Sequence, residues 1–244
     1  LIGSFFPALV VICIVGFTII IALLSEATVF RPLRNTTPPT MMIASFALGY
    51  VLQNLIIMIY GGRPKSAGIF PELLQSIDLA EGVSVPLLKI VTIGVTAILL
   101  ILLTLFLHRT SVGVQMRAAA EDFRMARMLG VRANLVIAMA FVISGSLASF
   151  VSLLYVSQLG IMTFRMGTPI IVFVFIATVI GGMGSLVGSV VGGMVVGVSS
   201  VVLKNILPDS IRGFSDAFVF AIVIAILLAR PQGLVPAKSA SERV

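Results

Sequence analysis

The chain holds a single cysteine, Cys13, and a single histidine, His108. One thiol inside an apolar run builds no disulfide framework, and one imidazole at the end of another run leaves no Cys/His cluster for a metal. Redox and metal chemistry are therefore not indicated. Charge is scarce too: Asp, Glu, Lys and Arg make up 10% of the 244 residues, and none lies near the middle of a long apolar run. Proton- and sodium-coupled carriers commonly keep an ionisable group at that depth despite its cost, so coupling energy must come from elsewhere. The glycines of residues 181–188 lack the Gly-Lys-Ser/Thr that holds nucleotide phosphates, so the chain is not expected to draw on ATP itself, and no cofactor of its own is expected. Its net charge of +7 is not a nucleic-acid signal, because the cations sit in short segments beside apolar runs and form no basic helix interleaved with aromatics.

What is present is apolar surface. Hydrophobic residues make up 59% of the chain and mean hydropathy is +1.20, more than a water-soluble fold of this size can hide. Lipid must cover it. Uncharged runs near the roughly 20 residues that cross a bilayer predict an all-α, polytopic transmembrane bundle of about seven spans. They are Ile2–Leu24, Met41–Tyr60, Ile90–Leu107, Leu135–Leu159, Pro169–Gly181, Leu186–Leu203 and Phe214–Ala229. Thr40 after Pro38-Pro39 is the predicted cap of the second span. Thr168 with Pro169 is predicted to start the fifth, and Pro231 with Gly233 to end the last. The stretch from Met166 to Leu203 is too long for one helix, and Gly181-Gly-Met-Gly-Ser185 supplies the break.

Lys and Arg set the orientation. With residues 25–40, 109–134, 181–185 and the tail from Arg230 inside, ten cations lie on the cytoplasmic side against six outside, and residues 109–134 carry half of the ten. This leaves Leu1 outside with no cationic segment or cleavage signature before the first span, so an amino-terminal piece with at least one more span is expected. The alternative is a start at Leu1 after signal removal. Otherwise the chain is expected to be a single transmembrane domain over residues 1–244.

Residues 109–134, RTSVGVQMRAAAEDFRMARMLGVRAN, are the most informative segment. Met116 to Gly130 is predicted to form one two-faced helix, with Met116, Ala119, Ala120, Phe123 and Ala126 on one side and Arg117, Glu121 and Arg124 on the other. Two readings of that pattern are open: a docking helix for a soluble partner, or a solvated amphipathic linker or interfacial anchor. Arg117-Ala-Ala-Ala-Glu-Asp followed by Ala126-Arg-Met-Leu-Gly-Val131 resembles the coupling-helix loop of ABC importer permeases. Arg31-Pro-Leu-Arg34, Ile43-Ala-Ser-Phe-Ala-Leu-Gly-Tyr-Val-Leu-Gln-Asn54, Gly181-Gly-Met-Gly-Ser185 and Arg230-Pro-Gln-Gly-Leu234 extend the likeness over nearly the whole chain. In this order they resemble branched-chain amino acid permeases of the LivH type. One departure is the lack of the Asn-Phe-Ala-His-Gly stretch found in that family's opening spans.

The resemblance implies a permease subunit in the bacterial cytoplasmic (inner) membrane, working by alternating access and performing no covalent chemistry. ATP would be bound by two ABC ATPase subunits, and an ATPase subunit would dock on Arg117, Ala120, Glu121, Asp122, Phe123, Arg124, Ala126, Leu129 and Gly130. A second permease subunit would complete the pathway. An extracytoplasmic binding protein would meet residues 61–89, a polar loop carrying Arg63, Lys65, Glu72, Asp78 and Glu81. The expected cargo is branched-chain or related hydrophobic amino acids; urea, amides or sugars within the superfamily, a secondary transporter or channel, and a membrane scaffold are the alternatives.

Polar groups inside the spans are candidates for a translocation path. Tyr50, Gln53 and Asn54 share one helical face, where they would bind substrate or, more commonly, hydrogen-bond a neighbouring helix. In the fourth span Ser144, Ala148 and Ser152 form one small-residue row and Gly145 with Ser149 the next. Close packing is the first reading of these rows, with Ser146, Ser149 and Thr178 as weaker path candidates. Gly184, Gly188 and Gly192 form a ladder, with Gly193 and Gly197 as a second row. They suit a tight helix pair or a permease dimer interface, with a moving gate as the alternative. Asp216 reads as a first-turn helix acid.

Overall fold

A computed structural model describes residues 7–34, 36–68, 75–80, 83–182, 184–230 and 233–235. Expectations about residues 2–6, the Pro71-Glu-Leu-Leu stretch with Glu72, Glu81, Met183, Pro231 and Gln232, and the side chain of Arg124, lie outside the described residues. Helices α1 (Pro7–Ser25), α2 (Pro38–Tyr60), α3 (Leu87–Arg109), α4 (Ser111–Glu121), α5 (Phe123–Met128), α6 (Ala133–Leu159), α7 (Gly167–Gly181), α8 (Leu186–Ile206) and α9 (Ser215–Ala229) follow in order. A five-residue π-helix, Glu26–Phe30, extends α1, and a 3₁₀ turn, Arg212–Phe214, leads into α9. Six of these segments are long and apolar enough to cross a membrane. The fifth predicted span, α7, is apolar but only 15 residues long, about 22 Å against the roughly 30 Å of a hydrocarbon core.

Hydrocarbon offers no partners to backbone N–H and C=O, so apolar runs close their hydrogen bonds within the helix. Threonines inside the spans obey the same rule. The hydroxyls of Thr18, Thr92, Thr96 and Thr104 each donate to the carbonyl one turn back, at 2.8, 2.7, 2.7 and 2.8 Å. The most apolar stretches of α2 and α3 contain no fully buried residue, as expected of helices that meet lipid.

Two boundaries differ from expectation. Thr37, not Thr40, precedes α2 in extended conformation, and both prolines lie in the first turn, where a missing N–H costs nothing. The Thr37 and Thr40 hydroxyls bond each other at 3.0 Å. Helix α7 starts at Gly167 with no side-chain cap, so Thr168 lies inside its first turn. The outer segment is more than a polar loop: β2 (Ser76–Ala80) and β3 (Val83–Pro86) form an antiparallel hairpin with a bulge between Asp78 and Ala80. In addition, β1 (Lys65–Ser66) pairs antiparallel with β4 (Ile161–Met162).

The chain divides into two compact units, residues 1–164 and 165–244. In the first, α6 packs on α1 through the Gly145 and Ser149 row. A Cβ at Gly145 would stand 3.1 Å from the Ala22 side chain, and Ser149 is buried, whereas Ser144, Ala148 and Ser152 face outward. Phe30 and Phe141 meet at 5.2 Å nearby. Buried Glu26 pairs with Arg34, whose guanidinium also donates to Asn134 Oδ1. The α1–α2 connection is thereby tied to the start of α6.

In the second unit α7 and α8 form a hairpin. Gly182 (φ +103°) and Gly184 (φ +91°) take backbone conformations that side chains resist. Ser185 then caps α8, its hydroxyl accepting the Gly188 N–H at 3.0 Å. Gly188 and Gly192 are buried against α7, and a Cβ on either would overlap the carbonyls of Gly181 or Ala177. Gly193 and Gly197 look into open space. The core joins Ala177, Ile180, Val196, Val219 and Val223, and the tail adds Leu234 N–H bonded to Ile180 O at 2.7 Å. Asp216 does sit in the first turn of α9, 3.9 Å from Lys204, an exposed pair of small worth.

The two glycine rows predict opposite outcomes in thermal unfolding of the purified protein. Gly192→Ala forces a methyl into a backbone carbonyl and is expected to cost about 1–3 kcal/mol. Gly193→Ala meets nothing and is expected to be neutral or to stabilise by up to about 1 kcal/mol. Arg34→Leu strands the buried Glu26 carboxylate and is expected to cost about 3–5 kcal/mol, with Glu26→Gln in the same chain recovering part of the loss.

Candidate functional site

Residues 109–134 form two helices rather than the single helix expected. At the end of α3, Thr110 turns extended and its hydroxyl accepts the Gly113 N–H at 3.0 Å, which caps α4. The corner is tight enough that a Cβ on Gly113 would overlap the Phe106 carbonyl. Helix α4 ends because Asp122 is extended (φ −145°, ψ 102°). Its carboxylate accepts the Met125 N–H at 3.0 Å, the bond by which an N-cap residue starts a new helix, here α5. The sequence shows this signal as a short acidic residue three positions before Met125.

Glycine closes the element. Gly130 has φ +87°, Val131 N–H reaches Ala126 O and Gly130 N–H reaches Arg127 O, both at 3.1 Å. This is the Schellman pattern, and the accompanying contact of Val131 with the Ala126 cluster completes it.

The break at Asp122 re-sorts the faces. Ala119 and Ala126 turn inward onto Val136 of α6, with Met116 and Val131 packed around them. Ala126, expected on the docking face, is only 4% exposed and belongs to this inner contact. Arg117, Ala120, Glu121, Asp122, Phe123 and Gly130 remain exposed, and Leu129 is 86% exposed. Met125 and Met128, which the single-helix pattern missed, are also exposed. The loop therefore shows solvent an apolar ridge of adaptable side chains beside charge, a surface that marks interaction sites, while its other face rests on a membrane span.

The polar residues of the spans are less gathered. Tyr50 and Asn54 are exposed on α2, and Asn54 donates to Tyr50 O at 2.7 Å; Gln53 beside them is half-buried. Ser146 lines an apolar cavity of about 480 Å³ between α3 and α6, and its hydroxyl donates to Val142 O at 2.8 Å. Ser149 donates to Ser146 O at 2.6 Å and is buried on the α1-facing row, so its geometry is that of a packing residue. Thr178, in the second unit, donates to Phe175 O at 2.8 Å. These donors are satisfied within their own helices, and the α2 and α6 groups do not converge on one pocket.

The loops pair in a consistent way. Arg34 meets Glu26 and Asn134, tying residues 26–34 to the end of the 109–134 segment, while β1 joins β4, tying residues 65–66 to 161–162. Each contact joins segments that the alternation of spans puts on one side of a membrane.

Residues 1–227 match the family described as "Branched-chain amino acid transport system / permease component". The chain belongs to this family. As a permease component with six helices able to cross a bilayer among the described residues, it is a multi-pass protein of the bacterial inner membrane. The permease is 29% identical to the "High-affinity branched-chain amino acid transport system permease protein BraD" of Pseudomonas aeruginosa over 239 residues, which cover 96% of this chain and 74% of that protein. To the like-named protein LivH of Escherichia coli (strain K12) it is 28% identical over 237 residues, covering 95% and 73%. A shorter likeness, 34% over 91 residues (37% of this chain and 26% of that protein), links it to the "Autoinducer 2 import system permease protein LsrC" of Salmonella paratyphi B. No solved structure matches the chain.

The cap at Asp122 has a direct test. Asp122→Ala is expected to cost about 1 kcal/mol and Asp122→Asn little. Amide exchange at residues 123–128 should accelerate severalfold in the alanine variant alone.

Proposed function

We propose that this permease moves branched-chain or related hydrophobic amino acids inward as part of an ATP-driven importer, and that residues 109–134 lie on the cytoplasmic side as the seat of an ATPase subunit. The observation that carries the reading is the two-sided loop: Leu129, Met125 and Met128 face outward beside Arg117 and Glu121, while Ala119 and Ala126 rest on Val136 of α6. A partner that grips the outer face and changes shape on ATP would displace the inner face and with it a span. An ion-coupled carrier commonly keeps an ionisable group at mid-span to bind its coupling ion, and the apolar runs of this sequence hold no Asp, Glu, Lys or Arg near their centres.

The substrate class follows the two relatives that cover most of the chain; the autoinducer likeness spans 91 residues and carries less. Two ATPase subunits, a second permease subunit and an extracytoplasmic binding protein complete the proposed assembly. The binding protein would approach the side that holds β1 and the β2–β3 hairpin. The open row of Gly193 and Gly197 on α8 offers a close-approach face to the second permease, whereas the Gly188 and Gly192 row is already filled by α7.

The test is amino acid uptake into proteoliposomes that hold the complete transporter, with binding protein and ATP. Leu129→Asp with Glu121→Arg alters only exposed positions, so thermal stability should hold while uptake falls at least tenfold and the ATPase no longer co-purifies. Undiminished uptake without ATP would overturn the importer reading and leave a facilitator.

A further inference from the structure

A cavity of about 730 Å³ opens beside α5, and four of its nine lining residues are arginines: Arg31, Arg34, Arg127 and Arg132. A second cavity of about 450 Å³ adjoins it, sharing Arg31, Arg34, Asn134 and Leu135. Its remaining walls are nearly all apolar: Leu23 from α1, and Ala138, Met139 and Val142 from α6. The one acid on either lining is Glu26, and it is already bonded to Arg34. Four guanidiniums thus face one carboxylate. Arg34 Nε adds a buried donor that no group among the described residues accepts.

Like charges do not gather in a recess at no cost, and the chain provides no acid there to offset three of them. Guanidinium forks fit phosphate oxygens two at a time. A free phosphate or phosphomonoester would satisfy the basic cavity, but it leaves the adjoining groove unexplained. That groove runs from the arginines along α6 from Leu135 to Val142, within the first three turns of a membrane span, and past Leu23 in the last turn of α1. It therefore starts at headgroup depth and enters the hydrocarbon. A charged recess continued by an apolar groove between two spans has the shape of an amphiphile, and basic pockets between transmembrane helices are where anionic headgroups bind.

We propose that the Arg31, Arg34, Arg127 and Arg132 cavity, with the groove between α1 and α6 behind it, is a binding site for an anionic phospholipid, its phosphate on the arginines and an acyl chain against Leu23, Ala138 and Val142. Nothing in this assignment depends on which amino acid is transported. The site adjoins the ATPase seat proposed above, since Phe123 lines the basic cavity, but lipid retention reads it without reference to transport.

The experiment is native mass spectrometry of the complete transporter released from nanodiscs of mixed phosphatidylglycerol and phosphatidylcholine. Wild type is expected to retain phosphatidylglycerol at least tenfold over phosphatidylcholine. Arg127→Gln and Arg132→Gln should each lower that ratio, and the pair together with Arg31→Gln should bring it near one at unchanged thermal stability. Arg34 is left intact because it holds Glu26. Should the triple variant fail to fold, wild type decides alone: retention must weaken as salt rises. Equal retention of the two lipids, or a ratio that ignores the arginines, overturns the site. Full displacement by glycerol 3-phosphate, which has the headgroup but no tail, would show a soluble phosphate ligand and overturn the lipid assignment. Undiminished uptake in the Leu129→Asp/Glu121→Arg variant, with lipid retention still dependent on the arginines, would count against the coupling reading and leave the lipid site standing.

Discussion

A peptide group in hydrocarbon has no water to bond, and the rest of this structure depends on that. Every crossing segment closes its own ladder, and the hydroxyls of Thr18, Thr92, Thr96, Thr104 and Ser146 turn back to carbonyls of their own helices. At several of the described turns something else satisfies the freed groups. Thr110, Asp122 and Ser185 supply caps, Gly130, Gly182 and Gly184 supply positive φ, and the tail bonds the last carbonyls of α7. Sequence polarity is thus concentrated at turns, and function has to be built from them.

The 109–134 segment shows how little is needed. One carboxylate at Asp122 converts a long amphipathic helix into two shorter ones, and the change of direction decides which alanines pack and which side chains remain free. The arginines 31, 34, 127 and 132 come from segments almost a hundred residues apart. They meet because α6 lies against α1, a contact made possible by the missing side chain at Gly145.

Most of the fold was legible in the sequence. Runs such as Leu135–Leu159 and Leu186–Leu203 lie within a few residues of the helices they form, because an uncharged run of bilayer length has few other fates. The Gly184 to Gly192 ladder foretold backbone contact, and Gly188 and Gly192 make it. Less legible was what depends on a single residue's bonds. Asp122 counted as one more charge on a helix, although as an N-cap it divides that helix. The paired prolines 38 and 39 resembled a boundary but form the first turn. The outer hairpin is encoded by pairing between Ile77 and Val85 rather than by periodicity, and short strands leave little trace in a chain dominated by helical runs. Of the proposed docking residues, Leu129 and Phe123 were readable as exposed apolar groups, but the inward turn of Ala126 depends on the break before it. The Glu26–Arg34–Asn134 clasp joins residues far apart in sequence and leaves no local pattern to read.

Helix α6 has 27 residues and so runs about 40 Å, longer than a hydrocarbon core is thick. It is held at both ends: Asn134 by Arg34 at the start, and β4 by β1 just past Gly160 at the finish. In between it is braced along α1, and its first turn carries Val136, the residue on which α4 and α5 rest. A stiff rod pinned in this way neither stretches nor bends to absorb a push. On the proposed coupling role, force applied at α5 would arrive at the far end of α6 as tilt or axial travel. There the β1–β4 pair would pass it toward the end of α2, and one helix would gear the two rims of the bilayer together.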